Sequence, residues 1–558
     1  MIEIKKNLLS YLSVFSLFFC LFSLIQFSSP NILSPDDAYR HIKEAWLIRN
    51  LGVEKSVRNF PWLQCSIFKE HPGDPWFGYH LLLYPFTFGD LVFGAKLSSV
   101  FFASLLFLGF FWILKKFEVK YTIFWTALLF LASDSFNFRL LLPRAYILSI
   151  LFSFIGFYLI FQKKHLGIFI LSFLYGFVTV ESPLIIFIAL ALTLLEFLKT
   201  KKLDLRPLGF TVSGILAGLI FRPDFPNNFY LISNQIFSVL FLKLKRAPLD
   251  FGSELSYTFS GRIIDNPLLF LNFALPLFWI VFVFLQKKQA KISPLLLSLF
   301  FFSIFFAFLS FGVGGRFIEY WVPFSTLFSA VCFNNVLLPK ISEIIKKIKE
   351  LKGYKIVFSP EKAGYFYQLI YRMLRRLILK FEEKFIKSLF LGVFLFLFLY
   401  LIFFRAMILY TEIEGLEFSE AKLIKEAAIW LRENTPPHSV VLNASWDLFP
   451  ILLFYNHQNY YCNGMDPTFM YVKSPQNYWL WRNLAFRGLF CNEEKCDEEK
   501  QKVSQENVRE IIRFLKEKLN GDYILLTARN EKFIDFLNSS KDFEKVFKRG
   551  KIEIYKID

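Results

Sequence analysis

Ser34-Pro35-Asp36-Asp37-Ala38-Tyr39-Arg40-His41 follows directly on the first hydrophobic span, so two adjacent carboxylates stand where a membrane helix has just left the lipid. Part of this stretch reads as a helix start. Ser34 is an N-cap, Pro35 takes the first helical position, and Asp37 three residues after the cap completes a capping box. Capping alone asks neither for a second carboxylate at Asp36 nor for His41 one turn beyond Asp37. The pair therefore marks a candidate catalytic position, with His41 beside it.

Working outward, hydrophobic runs recur along most of the 558 residues, and mean hydropathy is +0.43. Such a chain is no ordinary soluble domain. Candidate spans lie near 8–27, 92–114, 121–134, 145–162, 166–180, 183–198, 206–221, 267–286, 292–312, 317–338 and 387–409, about eleven in all. The first lacks a small-residue cleavage site and reads as an uncleaved membrane helix. With 75 Phe against 11 Trp, Phe and Leu are expected to supply the lipid-facing surface.

The net charge of +18 is not a nucleic-acid signature, because of where it sits. Lys5-Lys6, Lys115-Lys116, Lys163-Lys164, Lys199 to Lys202, Lys287-Lys288 and the dense run 340–386 fall in every second connection, which is the positive-inside pattern. This places the N-terminus in the cytoplasm of a cell with a plasma (inner) membrane, and the C-terminal part outside it. Within the cytoplasmic loop 339–386, the amphipathic stretch 365–387 is suited to lie on anionic membrane lipids.

The expected fold is therefore an α-helical polytopic membrane domain over 1–410, with its first external loop at 28–91, followed by an extracytoplasmic α/β domain over 411–558. In the latter, Ser419 to Arg432 reads as a helix stopped by Asn434-Thr435-Pro436-Pro437. Ser439 to Leu442 and Tyr523 to Leu526 read as strands, and a terminal hairpin turns at Arg549-Gly550. Cys65, Cys462, Cys491 and Cys496 fall outside and allow one or two disulfides, with pairing left open.

Other polar clusters fall on the same predicted face. Arg139, Arg144, Arg222 and Arg316 sit at external span ends, where snorkelling explains most arginines. Arg316 stands apart: it follows Gly314-Gly315 and precedes Glu319-Tyr320. Guanidinium suits bidentate phosphate binding, which makes Arg316, with Arg144 and Arg222, candidates for a donor phosphate. His71-Pro72-Gly73-Asp74 is a turn by default, with Asp74 a further candidate. No phosphate-binding glycine loop, dinucleotide fingerprint, zinc-protease motif or nucleophile elbow is present.

The loop-one motif Asp36-Asp37-Ala38-Tyr39 resembles that of the GT-C class of multispanning glycosyltransferases. So does the series Trp430-Leu431, Asn434-Thr435-Pro436-Pro437, Ser439-Val440-Val441 and Ser445-Trp446-Asp447, most of all in the oligosaccharyltransferase catalytic subunits. The resemblance implies a polyprenyl-phosphate-linked sugar as partner, Asp37 as the acidic residue near the acceptor, and Arg316 at the lipid phosphate. It also implies Trp446 and Asp447 toward the acceptor, and a magnesium or manganese ion, if any, at Asp37; His41, Asp74 and Glu319 are further candidates for acceptor or sugar from their placement in the sequence. Ser445 stands where the family has Trp, and Asp134 is alone where the family has a paired acidic motif. These departures favour sugar transfer to a lipid or polysaccharide over transfer to protein, and the expected reaction is inverting. Oligosaccharide transfer to protein, and a non-enzymatic transporter, are the alternatives. A periplasm-dependent reporter fused after Asp558 is expected to be active and a cytoplasm-dependent one silent; the reverse pattern would overturn the topology.

Overall fold

The computed structural model describes residues 2–32, 37–245, 247–252, 274, 278–279, 293–339, 342, 383–414 and 419–557. Helix α1 (Ile2–Gln26) leads to a loop carrying α2 (Asp37–Val53) and α3 (Phe77–Leu83), and α4 (Leu91–Lys116) runs back beside α1. Further apolar helices are Thr122–Ala132, Tyr146–Phe161, His165–Val178, Pro183–Thr200, Arg206–Ile220, Pro294–Gly312, Ile318–Cys332 and Glu383–Glu414. Each expected span coincides with one of these helices except 267–286, which, save for 274 and 278–279, lies outside the described residues.

Length does not bear out the count of about eleven crossings. Among the described residues, only Leu8–Gln26, Leu91–Lys116, Pro183–Thr200 and Pro294–Gly312 are long and apolar enough to cross a bilayer. Others, such as Tyr146–Phe161, His165–Val178 and Arg206–Ile220, run to 10–17 residues, short of the roughly 20 that cross hydrocarbon. Among the described residues, four helices qualify by length and composition.

Helix packing follows from side-chain size. The helix Arg206–Ile220 carries Gly214 and Gly218 four residues apart, against the backbone of His165–Val178. A Cβ on Gly214 would lie 2.5 Å from the Phe169 carbonyl oxygen, and one on Gly218 would strike that of Phe173. Small residues at this spacing let membrane helices approach closely. Elsewhere phenylalanine fills the gaps: Phe107 stands 4.2 Å from Phe18 and 5.4 Å from Phe22, ring centre to ring centre. Phe faces outward along Glu383–Glu414, where Phe396 and Phe403 are exposed, but Phe22, Phe107 and Phe110 are fully buried. Phenylalanine therefore builds the interior as well as the outer surface.

The C-terminal sheet contains β1 (Val440–Asn443), β2 (Tyr460–Tyr461), β3 (Tyr523–Leu526), β4 (Phe543–Arg549) and β5 (Ile552–Ile557), in the order β2-β1-β3-β5-β4. Strand β1 pairs in parallel with β2 and β3, and β5 is antiparallel to β3 and β4. The central strands β1 and β3 are buried along their length, as apolar runs covered on both faces must be. The helix Ser419–Asn434 ends at the expected Thr-Pro break, and β4 turns into β5 at Gly550, whose φ of +57° suits glycine.

What positions the site is a seam between loop one and this sheet. The backbone from Trp62 to Cys65 lies along edge strand β2: Gln64 N donates to the Tyr461 carbonyl (2.8 Å), Tyr461 N to that of Trp62 (2.8 Å), and Cys65 N to that of Cys462 (3.1 Å). Trp62 Nε1 donates to the His457 carbonyl at 2.9 Å. A Cys65–Cys462 disulfide locks the seam, and Cys491–Cys496 closes a short loop within the domain. Proteolytic fragments carrying Cys65 and Cys462 are expected to migrate together until reduced. Cys65→Ser should cost about 2–5 kcal/mol of stability, read as a lower midpoint of thermal unfolding; unlinked fragments would refute the pairing.

Candidate active site

Asp37 opens α2, and helical spacing selects its partners. Residues three and four positions on share its face, and Arg40 Nε donates to Asp37 Oδ1 at 2.9 Å while Arg40 Nη1 donates to Glu44 Oε2 at 2.9 Å. The guanidinium is fully buried, stacked 4.5 Å over the Trp76 ring, whereas the Asp37 side chain keeps 28% of its surface exposed. The carboxylate of Asp37 is thus held in place by a buried cation while remaining open to solvent. Asp36, Ser34 and Pro35 lie outside the described residues, so the catalytic reading of Asp36 and the capping box go with them.

The sequence set His41 beside Asp37, but Arg40 takes that place. His41 turns to α3 instead, with Nδ1 2.7 Å from His80 Nε2. His80 also lies 3.2 Å from Glu44 Oε2 through Nε2 and 2.6 Å from Asp74 Oδ2 through Nδ1. Asp74 makes the expected turn, its Oδ1 accepting from Trp76 N at 2.9 Å, and reaches His80 with its other oxygen. Burial pushes the Asp74 carboxyl up, but His80 and Arg222 outweigh it and hold it below the ordinary value. Burial also raises Glu44 against the opposing pull of Arg40 and His80. Burial and the nearby cations Arg40 and Arg144 drive His41 well down.

The three candidate phosphate ligands have different surroundings. Arg222 is sealed in: it chelates Asp224 at 3.1 and 2.9 Å and donates to the carbonyls of Pro75 (3.1 Å) and Asp74. It braces the loop that carries Asp74. Arg144 lies within electrostatic reach of His41 and Tyr79. Arg316 sits in the turn Gly315–Phe317, 3.8 Å from Glu181, with a third of its side chain exposed.

Asp466 joins these parts. It lies just before the helix Pro467–Lys473, capping it through Thr468 N at 2.8 Å. Its carboxyl is raised to about 6, first by burial and further by Asp37, and is drawn down by Arg316. One buried carboxyl therefore feels loop one, the turn Gly315–Phe317 and the C-terminal domain together. Along the sequence Asp466 follows the aromatic pair Tyr460-Tyr461 by a few residues. Its sole signal was an Asp-Pro pair at a helix start. Tyr461 is wholly buried, its hydroxyl donating to the Leu452 and Asn456 carbonyls, and belongs to the core.

The remaining candidates serve other contacts. Glu319 is buried in an ion pair with Arg139. Trp446 Nε1 donates to the Asp250 carbonyl at 2.9 Å, and Asp447 pairs with Arg529 at 3.1 Å. Asp134 pairs with Arg405. Among the described residues one group has metal-binding donors in convergence, His41, Glu44 and His80. It is nitrogen-rich and does not include Asp37, where magnesium or manganese was expected.

The fold, a helical bundle with a loop-one acidic helix clamped to a C-terminal α/β sheet, is similar to that of a solved structure of ArnT. ArnT from Cupriavidus metallidurans bound to undecaprenyl phosphate matches with a TM-score of 0.51 and 12% identity, over 99% of this chain and 98% of that one. The same protein in its apo state matches with a TM-score of 0.44 and 11% identity over the same shares. No family model matches the chain, and neither does any curated protein.

The raised Asp466 carboxyl has a measurable consequence. Its unfolded value of 3.8 lies below the folded value of about 6, so between them the folded state holds a proton that the unfolded chain has released. Stability from this group is full below pH 4 and is lost as pH rises through 6, by about 3 kcal/mol in all. Asp466→Asn is expected to flatten that part of the stability–pH curve relative to wild type; an unchanged slope would contradict the assignment.

Proposed function

We propose that this chain is an inverting glycosyltransferase that takes a sugar from a polyprenyl-phosphate donor and passes it to a lipid or polysaccharide hydroxyl at the extracytoplasmic face. The observation that carries the reading is that the buried Asp466 carboxyl lies within electrostatic reach of both Asp37 and Arg316, residues from three distant segments. The fold shared with ArnT, solved with undecaprenyl phosphate, supports a lipid phosphate as the donor's carrier. The disulfides at Cys65–Cys462 and Cys491–Cys496 support an oxidising compartment for loop one and the sheet domain.

In the proposed reaction the acceptor oxygen attacks the anomeric carbon while its proton passes to Asp37. The bond from that carbon to the phosphate oxygen breaks, and the polyprenyl phosphate leaves with the electron pair. Arg40 fixes the direction of the Asp37 carboxylate. Arg316, with Arg144, offers positive charge to the departing phosphate; Arg222 is committed to Asp224 and braces the loop. A hard cation at Asp37 would have to compete with Arg40, so the guanidinium groups are the natural partners of a singly esterified phosphate.

The test is sugar transfer by the full chain in proteoliposomes supplied with a labelled polyprenyl-phosphate sugar. Asp37→Asn should lower turnover by roughly 10²–10⁴, and Arg316→Ala should also reduce it, with the Cys65–Cys462 bond retained as a check on folding. Unchanged turnover in Asp37→Asn would end the proposal. Transfer to peptide alone would move the reading to the oligosaccharyltransferase alternative.

A further inference from the structure

Beneath Asp37, the buried group His41, Glu44 and His80 is more than the catalytic reading needs. Their donor atoms all lie within 4.8 Å of one another, and all three residues are buried. We propose that they bind a first-row transition dication, zinc above all, which ties α2 to α3. This site is independent of whether the chain transfers sugar.

The local fold supplies the ligands in a suitable pattern. His41 and Glu44 are three residues apart on one face of α2, and His80 approaches from α3. Two imidazoles and a carboxylate suit zinc, with a fourth position open, whereas magnesium and calcium prefer all-oxygen sets. His80 presents Nε2 to the group while Nδ1 meets Asp74 Oδ2 at 2.6 Å. That is the outer carboxylate that commonly orients a metal-bound histidine. Glu44 Oε1 is buried and has no hydrogen-bond partner, although Oε2 is engaged.

The three donor groups already converge: His80 Nε2 faces both His41 Nδ1 at 2.7 Å and Glu44 Oε2 at 3.2 Å. A cation between the three satisfies all of them, and the donor atoms would then sit about 3.3 Å apart at zinc–nitrogen distances. Charge points the same way. Asp37, Glu44, Asp74 and Asp224 face Arg40 and Arg222 in this network, two more carboxylates than guanidiniums. Arg144, within reach of His41, balances one of them.

The experiment uses the full chain in detergent, stripped with a chelator, reloaded with zinc alone, and assayed by mass spectrometry of metal content after gel filtration. About one zinc per chain is expected, with loss in His41→Ala and His80→Ala and retention in His165→Ala. Glu44→Gln, a conservative change, and Asp74→Asn should each weaken binding by about 10–100-fold. Cobalt(II) in place of zinc should give the visible absorption of a low-coordinate nitrogen–oxygen site. Wild-type protein that retains no stoichiometric zinc would overturn the proposal in favour of a metal-free hydrogen-bonded chain from Arg40 through His41 and His80 to Asp74. Zinc retained equally by His41→Ala and His80→Ala would also overturn it.

Discussion

The seam between loop one and edge strand β2 is the constraint on which the candidate site depends. Asp37 and Asp466 are more than four hundred residues apart in the chain. They come within electrostatic reach because Trp62 to Cys65 lie along Tyr461 and Cys462, and the disulfide removes the freedom to separate. Packing reinforces the seam close by: Tyr39 meets Phe454 edge to face at 5.1 Å, and Gly464 passes where a Cβ would sit 2.7 Å from Leu63 and 2.6 Å from Phe449. A loop that would otherwise carry exposed backbone on the membrane surface becomes part of a rigid platform.

Beneath that platform the chain buries charge. Taking Arg40, Glu44, Asp74, Arg222 and Asp224 out of water carries a desolvation cost that ion pairs repay only with good geometry and complete hydrogen bonding. Arg222 meets that condition with two carboxylate and two carbonyl contacts. The Arg40 network meets it less fully, since one Glu44 oxygen is left without a partner. Such an arrangement holds Asp37 from below while its own surface stays open. Rigid support under an accessible carboxylate is what positioned proton transfer requires.

Much of this organisation was legible locally. Apolar runs marked the helices, and Asn434-Thr435-Pro436-Pro437 ended its helix where the Thr-Pro break indicated. The strands at Val440–Asn443 and Tyr523–Leu526 and the turn at Gly550 also stand where the sequence put them. Local signals misled where identical chemistry serves two purposes. Arg222 and Arg316 look alike as guanidiniums after apolar helices, yet one is sealed against Asp224 and the other is partly open beside Glu181. Trp446-Asp447 carried a family likeness, but its contacts are with Asp250 and Arg529.

The sequence by itself determined a membrane-embedded helical chain with an α/β domain at its end, and an acidic helix start directly after the first span. Those properties are written in composition and short-range periodicity, because burial of a helix face or a strand repeats every few residues. Tertiary structure alone decided that Arg40 rather than His41 meets Asp37, that Asp466 faces the same site, and that His41, Glu44 and His80 converge. These meetings depend on how α2, α3 and the sheet edge pack in space, and no spacing along the chain encodes the distance between residues that only packing brings together.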